Sequence, residues 1–179
     1  MSTVATILAL LIIALIIFVA TRPDDFRIER ATVINAPAHT VFALISDFHA
    51  WEAWSPWEKI DAQLTRSYAG PSSGKGAIYA WSGNKNIGRG RMEITEAIAS
   101  SALLIKLDFI TPFEAHNMVE FTLLTQGNTT VVTQAMFGPS PLISKLMSLV
   151  FNMEKMVGPK YEEGLASLKT LAEQSATKA

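Results

Sequence analysis

The chain has 179 residues, a formal net charge of −1 and no cysteine. The lack of cysteine excludes disulfides, thiolate metal sites and cysteine nucleophiles. The charges are interspersed and form no basic stripe that could follow a phosphate backbone, so we expect no nucleic-acid partner. Beyond the first 25 residues about 150 remain, which is enough for one domain with its own core.

The N-terminal region is an apolar run over residues 4–20 that only Thr6 interrupts. At about 1.5 Å per residue the run makes roughly 25 Å of helix, a little less than an ~30 Å hydrocarbon core, and polar flanking residues extend it into the interface. We therefore predict a transmembrane anchor over residues 1–22, and with it a membrane as one partner of the chain.

Two other interpretations of this run are a cleaved signal peptide and a buried soluble helix. The signal peptide is disfavoured because no Lys or Arg precedes the run and residues 18–20 (FVA) make a poor cleavage site. The buried helix is disfavoured because the run has no polar face. Arg22, Arg27 and Arg30 follow the run, so the positive-inside rule predicts a single-pass protein whose globular domain is cytoplasmic.

The globular domain is predicted over residues 23–174, with a disordered tail at 175–179. Alternating apolar and polar residues predict a strand at 26–34. Apolar residues at helical spacing after Pro37 predict a helix at 37–49, and the aromatic-rich segment 49–57 predicts a second short helix.

The middle of the chain predicts strands separated by turns that are rich in glycine and polar residues. These strands are 64–68, 77–81, 89–97, 103–109, 116–124 and 129–136. Their connections are too short for crossover helices, so the sheet should be antiparallel. Helical spacing returns at 142–172, where Gly158 and Pro159 are expected to kink or divide the helix.

This order of elements resembles the helix-grip fold of the START-like or SRPBCC superfamily, which includes polyketide cyclase/dehydrase-type proteins and lipid-transfer domains. The motifs that carry the resemblance lie at 36–42 (APAHTVF), 46–57 (SDFHAWEAWSPW), 89–94 (RGRMEI) and 128–133 (NTTVVT). Gln134 departs from the pattern, because an aromatic residue commonly follows the threonine of the last strand in such domains. The resemblance implies an α+β fold with a curved antiparallel sheet of about six or seven strands wrapped on a long C-terminal helix.

The resemblance further implies a hydrophobic cavity between the sheet and the C-terminal helix, and one face of the predicted strands is indeed apolar. Each of these apolar residues could instead belong to an ordinary core. The residues predicted to contact a ligand are Tyr79, Trp81, Met92, Ile94, Ile105, Leu107, Phe109, His116, Phe121, Met147 and Phe151.

The sequence shows no nucleophile beside a base and no clustered metal ligands, so we predict no catalytic residue, metal or cofactor. Charged residues that alternate with apolar ones in the central strands should face solvent, although an inward pair of the Arg91–Glu120 type is an alternative. Trp51, Trp54 and Trp57 should pack the short helices together, with membrane contact as the alternative.

Two functions follow from these features. The first is a membrane-anchored domain that binds or transfers a lipid or another small hydrophobic molecule. The second is an enzyme of the polyketide cyclase/dehydrase kind acting on a hydrophobic substrate. We expect binding, because acid–base residues are sparse and a membrane tether suits a lipid. A regulatory partner of another membrane protein is a third possibility, for which the sequence names no partner.

Overall fold

A curved seven-stranded antiparallel sheet forms the centre of the structure, a computed structural model that describes residues 2–149 and 152–178. Its strands are β1 (Asp25–Ile34), β2 (Thr65–Ala69), β3 (Ile78–Ser82), β4 (Arg89–Ile98), β5 (Ala102–Thr111), β6 (Ala115–Gln126) and β7 (Thr129–Pro139). The spatial order is β1-β7-β6-β5-β4-β3-β2, so the first strand pairs with the last. The predicted antiparallel sheet is confirmed.

The helices are α1 (Ser2–Ala20), α2 (Ala38–Ser46), α3 (Trp51–Trp54), α4 (Leu142–Met147) and α5 (Met153–Lys178), with 3₁₀ turns at Phe48–Ala50 and Pro56–Lys59. The helix predicted at 37–49 ends at Ser46. The side chain of Asp47 then accepts a hydrogen bond from the backbone N–H of His49 at 2.8 Å and caps the following turn. Residues with short polar side chains favour such local turns over a continued helix.

Alternation along the strands gives the sheet one buried and one solvent-facing side. In β6 the residues Asn117, Val119, Phe121 and Leu123 are buried, whereas the residues between them are exposed or half-buried. This period of two is what a strand with one packed face requires. The buried side is the concave face, and α5 packs against it.

The C-terminal helical region is divided at a different place from the one predicted. α5 continues through Gly158 and Pro159, and the interruption lies between Met147 and Met153. Proline costs least near the start of a helix, and Pro159 lies within the first two turns of α5. Gly158 also leaves room for the guanidinium of Arg30, which a Cβ atom at this position would strike.

The far end of α5 extends to Lys178, into the segment 175–179 for which the sequence predicts a disordered tail. The buried face of α5 consists of Val157, Tyr161, Leu165, Leu168 and Ala172. These residues recur every three or four positions and therefore form one stripe. The stripe closes the core over the sheet, and the arrangement matches the helix-grip α+β fold expected from the sequence.

The tryptophans of the short helices pack as predicted. Trp51 and Trp54 are buried, and each donates its indole N–H to a backbone carbonyl of α2, that of Ile45 at 3.0 Å and that of Leu44 at 3.3 Å. Both rings meet Phe121 edge-on, with centroids 6.1 and 6.2 Å away. These contacts join α2, α3 and β6 into one aromatic cluster.

Charged residues of the central strands lie on the solvent side, as predicted. Arg91 pairs with Glu93 at 2.7 Å and Lys106 with Asp108 at 3.0 Å, each within a single strand. Glu120 pairs with Arg27 of β1 at 2.9 Å and not with Arg91. The alternative of an inward Arg91–Glu120 pair is therefore wrong.

α1 is a helix whose side chains from Thr3 to Ala20 are exposed, with Val19 as the buried exception. It is long and apolar enough to cross a membrane, a test that a signal sequence near an N-terminus also passes. A helix that serves as the core of a soluble domain would bury such side chains, whereas these remain uncovered in the structure.

Candidate ligand-binding site

Strand pairing arranges the concave face in rows that cross the sheet. One row contains Tyr79, Met92, Leu107 and Asn117. A second row, nearer the end of the sheet where β1 begins and β7 ends, contains Trp81, Gly90 and Phe109. A third row, on the same face but on the other side of the first row, contains Ile94, Ile105 and Val119. Residues that are directly paired point to the same face, so each row presents its side chains toward α5.

Most of the predicted site residues lie together on this face. These are Tyr79, Trp81, Met92, Ile94, Ile105, Leu107, Phe109 and Phe121. Three predicted residues are not among them. His116 lies on the opposite face, Met147 is half-buried in α4, and Phe151 lies outside the described residues. That the grouped residues contact a ligand remains a prediction.

Exposure rises from the centre of the concave face toward one end. Ile94 and Ile105 are 0% exposed, whereas Trp81, Met92 and Leu107 are 7–8% exposed. The inner rows therefore form a sealed core, and the outer rows have residual access. Access is therefore greatest at the end of the sheet marked by Trp81 and the half-buried Phe109.

Gly90 allows Trp81 to lie flat at this open end. A Cβ atom on Gly90 would strike the indole ring and would come within 2.6 Å of the carbonyl oxygen of Asp108. The indole N–H donates to the carbonyl of Ile87 at 3.2 Å, and the ring meets Phe109 edge-on at 6.0 Å. Trp81 thus offers an apolar ring surface, because its polar atom is already bonded.

Asn117 is the polar member of an otherwise apolar part of the concave face. It is 6% exposed, and none of the sealed side-chain nitrogen and oxygen atoms of the described residues lacks a hydrogen-bond partner, so its amide is not a sealed, unsatisfied group. A primary amide at this position can donate to or accept from a polar group of a bound molecule. Asn117 was not among the predicted site residues, although period-two alternation from Phe121 places it on the buried face.

A buried polar cluster adjoins the same row. The hydroxyl of Tyr79 donates to Glu58 Oε1 at 2.6 Å, and Arg66 Nε donates to Glu58 Oε2 at 2.6 Å. Burial raises the pKa of Tyr79 far above its usual range, and the hydrogen bond to Glu58 raises it further. The phenol therefore stays protonated, and its one donor is occupied by the carboxylate.

Gln134, the departure from the family pattern, faces α5 from β7. It is buried and hydrogen-bonds with Tyr161. Burial raises the pKa of Tyr161, and the hydrogen bond with Gln134 acts in the opposite direction. The polar side chain of Gln134 on the concave face is therefore accommodated by a polar partner on α5.

His116 titrates on the solvent side. Its Nδ1 lies 2.7 Å from Asp108 Oδ1 and its Nε2 lies 3.3 Å from Glu114 Oε1. The hydrogen bond to Asp108 raises the pKa of His116. Because His116 and Phe121 are five residues apart, a regular strand places them on opposite faces.

We expect NMR titration of the His116 imidazole in the full chain to give a pKa above the usual histidine value, and Asp108→Asn to lower it. Since the raised pKa belongs to the folded state, protonated His116 stabilises the fold below the usual histidine pKa, and this contribution is lost as the pH rises through the raised value. Thr122→Val, on the same face of β6, is the control. An unchanged titration in Asp108→Asn would contradict this assignment.

Two pockets open on the surface of the domain. One, of about 250 Å³, is bounded by Phe48, His49, Tyr68 and neighbouring turn residues, with the His49 and Tyr68 rings stacked at 4.0 Å. The other, of about 440 Å³, is bounded by Pro23, Phe26, Arg27 and Phe137 at the start of β1. Within the described ranges no group of three or more His, Asp or Glu side chains could hold a metal ion.

Comparison with known proteins identifies the family of the domain that follows α1. Residues 25–173 match the family model described as polyketide cyclase / dehydrase and lipid transport. No curated protein matches the chain.

Solved structures share the fold at low identity. Protein MLL2253 from Mesorhizobium loti is 15% identical with a TM-score of 0.60, over 83% of this chain and 98% of that one. SA2116 from Staphylococcus aureus, a protein of unknown function, is 10% identical with a TM-score of 0.61, over 86% and 96%. StfQ, a di-domain ARO/CYC from the steffimycin biosynthetic pathway, is 9% identical with a TM-score of 0.62, and the match covers 86% of this chain and 52% of StfQ.

Proposed function

This chain belongs to the polyketide cyclase / dehydrase and lipid transport family, and from that premise we propose that it is a membrane-anchored domain that binds or transfers a lipid or similar small hydrophobic molecule. The family makes it a hydrophobic-ligand-binding or cyclase-like domain. The proposal adds the tether, through α1, and the choice of binding over catalysis.

The observation that supports the proposal is the placement of one amide, that of Asn117, in a row with Met92 and Leu107 on the concave face. A hydrocarbon ligand that lay against Met92 and Leu107 would bring a carbonyl or hydroxyl group at its end to the amide of Asn117, which pairs with Leu107 across the strands. A pocket with one or two polar groups in an apolar lining is typical of sites that orient a ligand. An amide does not ionise at ordinary pH and so cannot act as a general acid or base.

The location of the site can be tested with a photoreactive fatty acid. The full chain in phosphatidylcholine nanodiscs would be irradiated with a diazirine-labelled palmitic acid, and the labelled peptides would be identified by mass spectrometry. We expect labelling in peptides that contain Met92 or Leu107, in addition to any labelling of α1. Labelling confined to α1 would show that the probe lies only in the bilayer and would contradict the proposal.

Asn117→Leu is expected to weaken binding of that probe by about tenfold, because one hydrogen bond to a carboxyl group is worth about 1.5 kcal/mol. Folding should be preserved, since the substitution places an apolar side chain on an apolar face. Asn128→Leu, at the exposed β6–β7 turn, is the matched control and should leave probe labelling unchanged. Equal labelling of the Asn117→Leu and Asn128→Leu variants would show that Asn117 does not contact the probe.

A cyclase-like activity is the second candidate, and the 2.6 Å contact between Tyr79 and Glu58 favours it. A carboxylate that accepts from a phenol could assist proton transfer if a substrate displaced that hydrogen bond. Glu58→Gln would then abolish turnover of a polyketide substrate while probe binding persists. In the binding proposal the same variant lowers stability and leaves no activity to lose.

A further inference from the structure

Exposed apolar side chains gather at the end of the sheet where β1 begins. α4 and the residues after it expose Leu142, Ile143, Leu146 and Leu149. Phe113, in the turn between β5 and β6, is 70% exposed. Soluble surfaces rarely leave a group of this kind uncovered. We call these five residues the apolar end surface.

α4 sits on the short connection between α1 and β1. The backbone N–H of Ser140 donates to the carbonyl of Asp24 at 2.7 Å, and Lys145 Nζ donates to the carbonyl of Arg22 at 2.7 Å and to Asp24 Oδ1 at 2.6 Å. α4 also packs against α1. The apolar end surface is therefore continuous with the helix that is long enough to cross a membrane.

The orientation of α4 is the reverse of that of an ordinary surface helix. Its lysine, Lys145, is 5% exposed and points into the protein, whereas Leu142 and Ile143 point outward. A helix in contact with water places its charges outward and its leucines inward. The orientation of α4 is favourable where the outside is apolar, as in the outer acyl region of a bilayer.

The length of the connection limits where the domain can lie. Four residues separate α1 from β1, so the start of the sheet stays within about 18 Å of the end of α1. The β5–β6 turn is at the same end of the sheet, because Thr111 closes β5 and β6 begins at Ala115, beside the end of β7. Phe113 is thus held at the same level as α4.

We propose that the apolar end surface docks on the lipid bilayer in which α1 is inserted, so that the open rows of the concave face are presented to that membrane. The proposal rests on the proposed function for the insertion of α1 and adds the entry route. Trp81 and Phe109 mark the open end of the concave face, which is the end that carries Phe113. A hydrocarbon chain would pass from the bilayer to the concave face without crossing water.

The experiment uses the cysteine-free sequence, which permits single labels in the full chain. Ile143→Cys, Phe113→Cys and Leu124→Cys would each be labelled with nitrobenzoxadiazole and placed in phosphatidylcholine nanodiscs with and without doxyl-labelled lipid. Leu124 is a matched control, because it is a 62% exposed apolar residue at the opposite end of β6. Ile12→Cys reports separately on α1.

We expect the labels at 143, 113 and 12 to shift to the blue and to lose emission with doxyl lipid, and the label at 124 to do neither. Quenching at 12 without quenching at 143 and 113 would overturn the docking while the anchor stands. A blue shift at 143 that doxyl lipid does not quench would show that protein covers the surface, either a second copy or another partner, and would also overturn it. No quenching at any position would remove the anchor, and with it both proposals.

Discussion

Trp54→Ala is expected to lower the free energy of unfolding by about 3–5 kcal/mol, the range for truncating a large buried aromatic side chain. Trp54 is 2% exposed, its ring lies 4.9 Å from that of Trp51 and 6.2 Å from that of Phe121, and its N–H is bonded to α2. Removal of the indole ring would leave a cavity between α3 and the sheet, beside Phe121 of β6. We expect the packed elements around it to fill this cavity only in part.

Urea unfolding of the full chain in detergent micelles, followed by near-ultraviolet circular dichroism, measures this loss. Trp57→Ala is the control, since Trp57 is half-buried three residues away and should cost clearly less. Equal losses at both positions would mean that the aromatic cluster around Phe121 is not the part of the core that stabilises the domain.

Glu58→Ala is expected to lower the free energy of unfolding by about 2–4 kcal/mol, because it leaves the Arg66 guanidinium and the Tyr79 hydroxyl without their shared acceptor. The side chain of Glu58 is 6% exposed and that of Arg66 is 23% exposed, so water compensates Arg66 only in part. Because Arg66 is partly exposed to water, the expected loss of unfolding free energy is smaller than the loss for breaking a fully buried ion pair.

Glu52→Ala is the matched control for this effect. Glu52 lies 3.9 Å from the same guanidinium, but its side chain is 68% exposed. An exposed pair of this kind contributes about 0–1 kcal/mol. Glu58→Gln should fall between the two, since it keeps an acceptor for Tyr79 but loses the charge. If Glu52→Ala and Glu58→Ala unfolded at the same urea concentration, the buried cluster would contribute nothing beyond a surface pair.

Local pattern in the sequence was sufficient to predict the sheet and the helix across it. Apolar residues alternate with polar ones along the strands because one face of the sheet is packed. In the C-terminal helix apolar residues recur every three or four positions because one stripe is packed. The spacing of apolar residues in each element therefore indicates which of its residues are buried. The same alternation could have placed His116 outward and Asn117 inward. Counting in twos from Phe121 gives both results.

The polar contacts could not be predicted, because they join residues that the sequence does not relate. Glu58 lies within the 3₁₀ turn Pro56–Lys59, and nothing in the neighbouring sequence indicates that Arg66 and Tyr79 will reach it from two strands. The sequence around Lys145 predicts an exposed side chain. In the structure Lys145 is buried because the carbonyl of Arg22 and the carboxylate of Asp24, in the connection before β1, accept hydrogen bonds from it. The end of α4 at Met147 is likewise not marked in the sequence, because no proline or glycine follows it before α5 begins at Met153.

The pairing of β1 with β7 has a consequence for how the protein is made. β1 leaves the ribosome roughly a hundred residues before β7, which at about 5–20 residues per second is a wait of several seconds. During that time β2 to β6 can form successive local hairpins, whereas β1 has no partner, and its backbone donors and acceptors are open to other chains. Arg27, Glu29 and Arg30 place charges along it, and charged side chains on an unpaired strand oppose aggregation. The charges of β1 therefore protect the nascent chain before they form ion pairs in the finished fold.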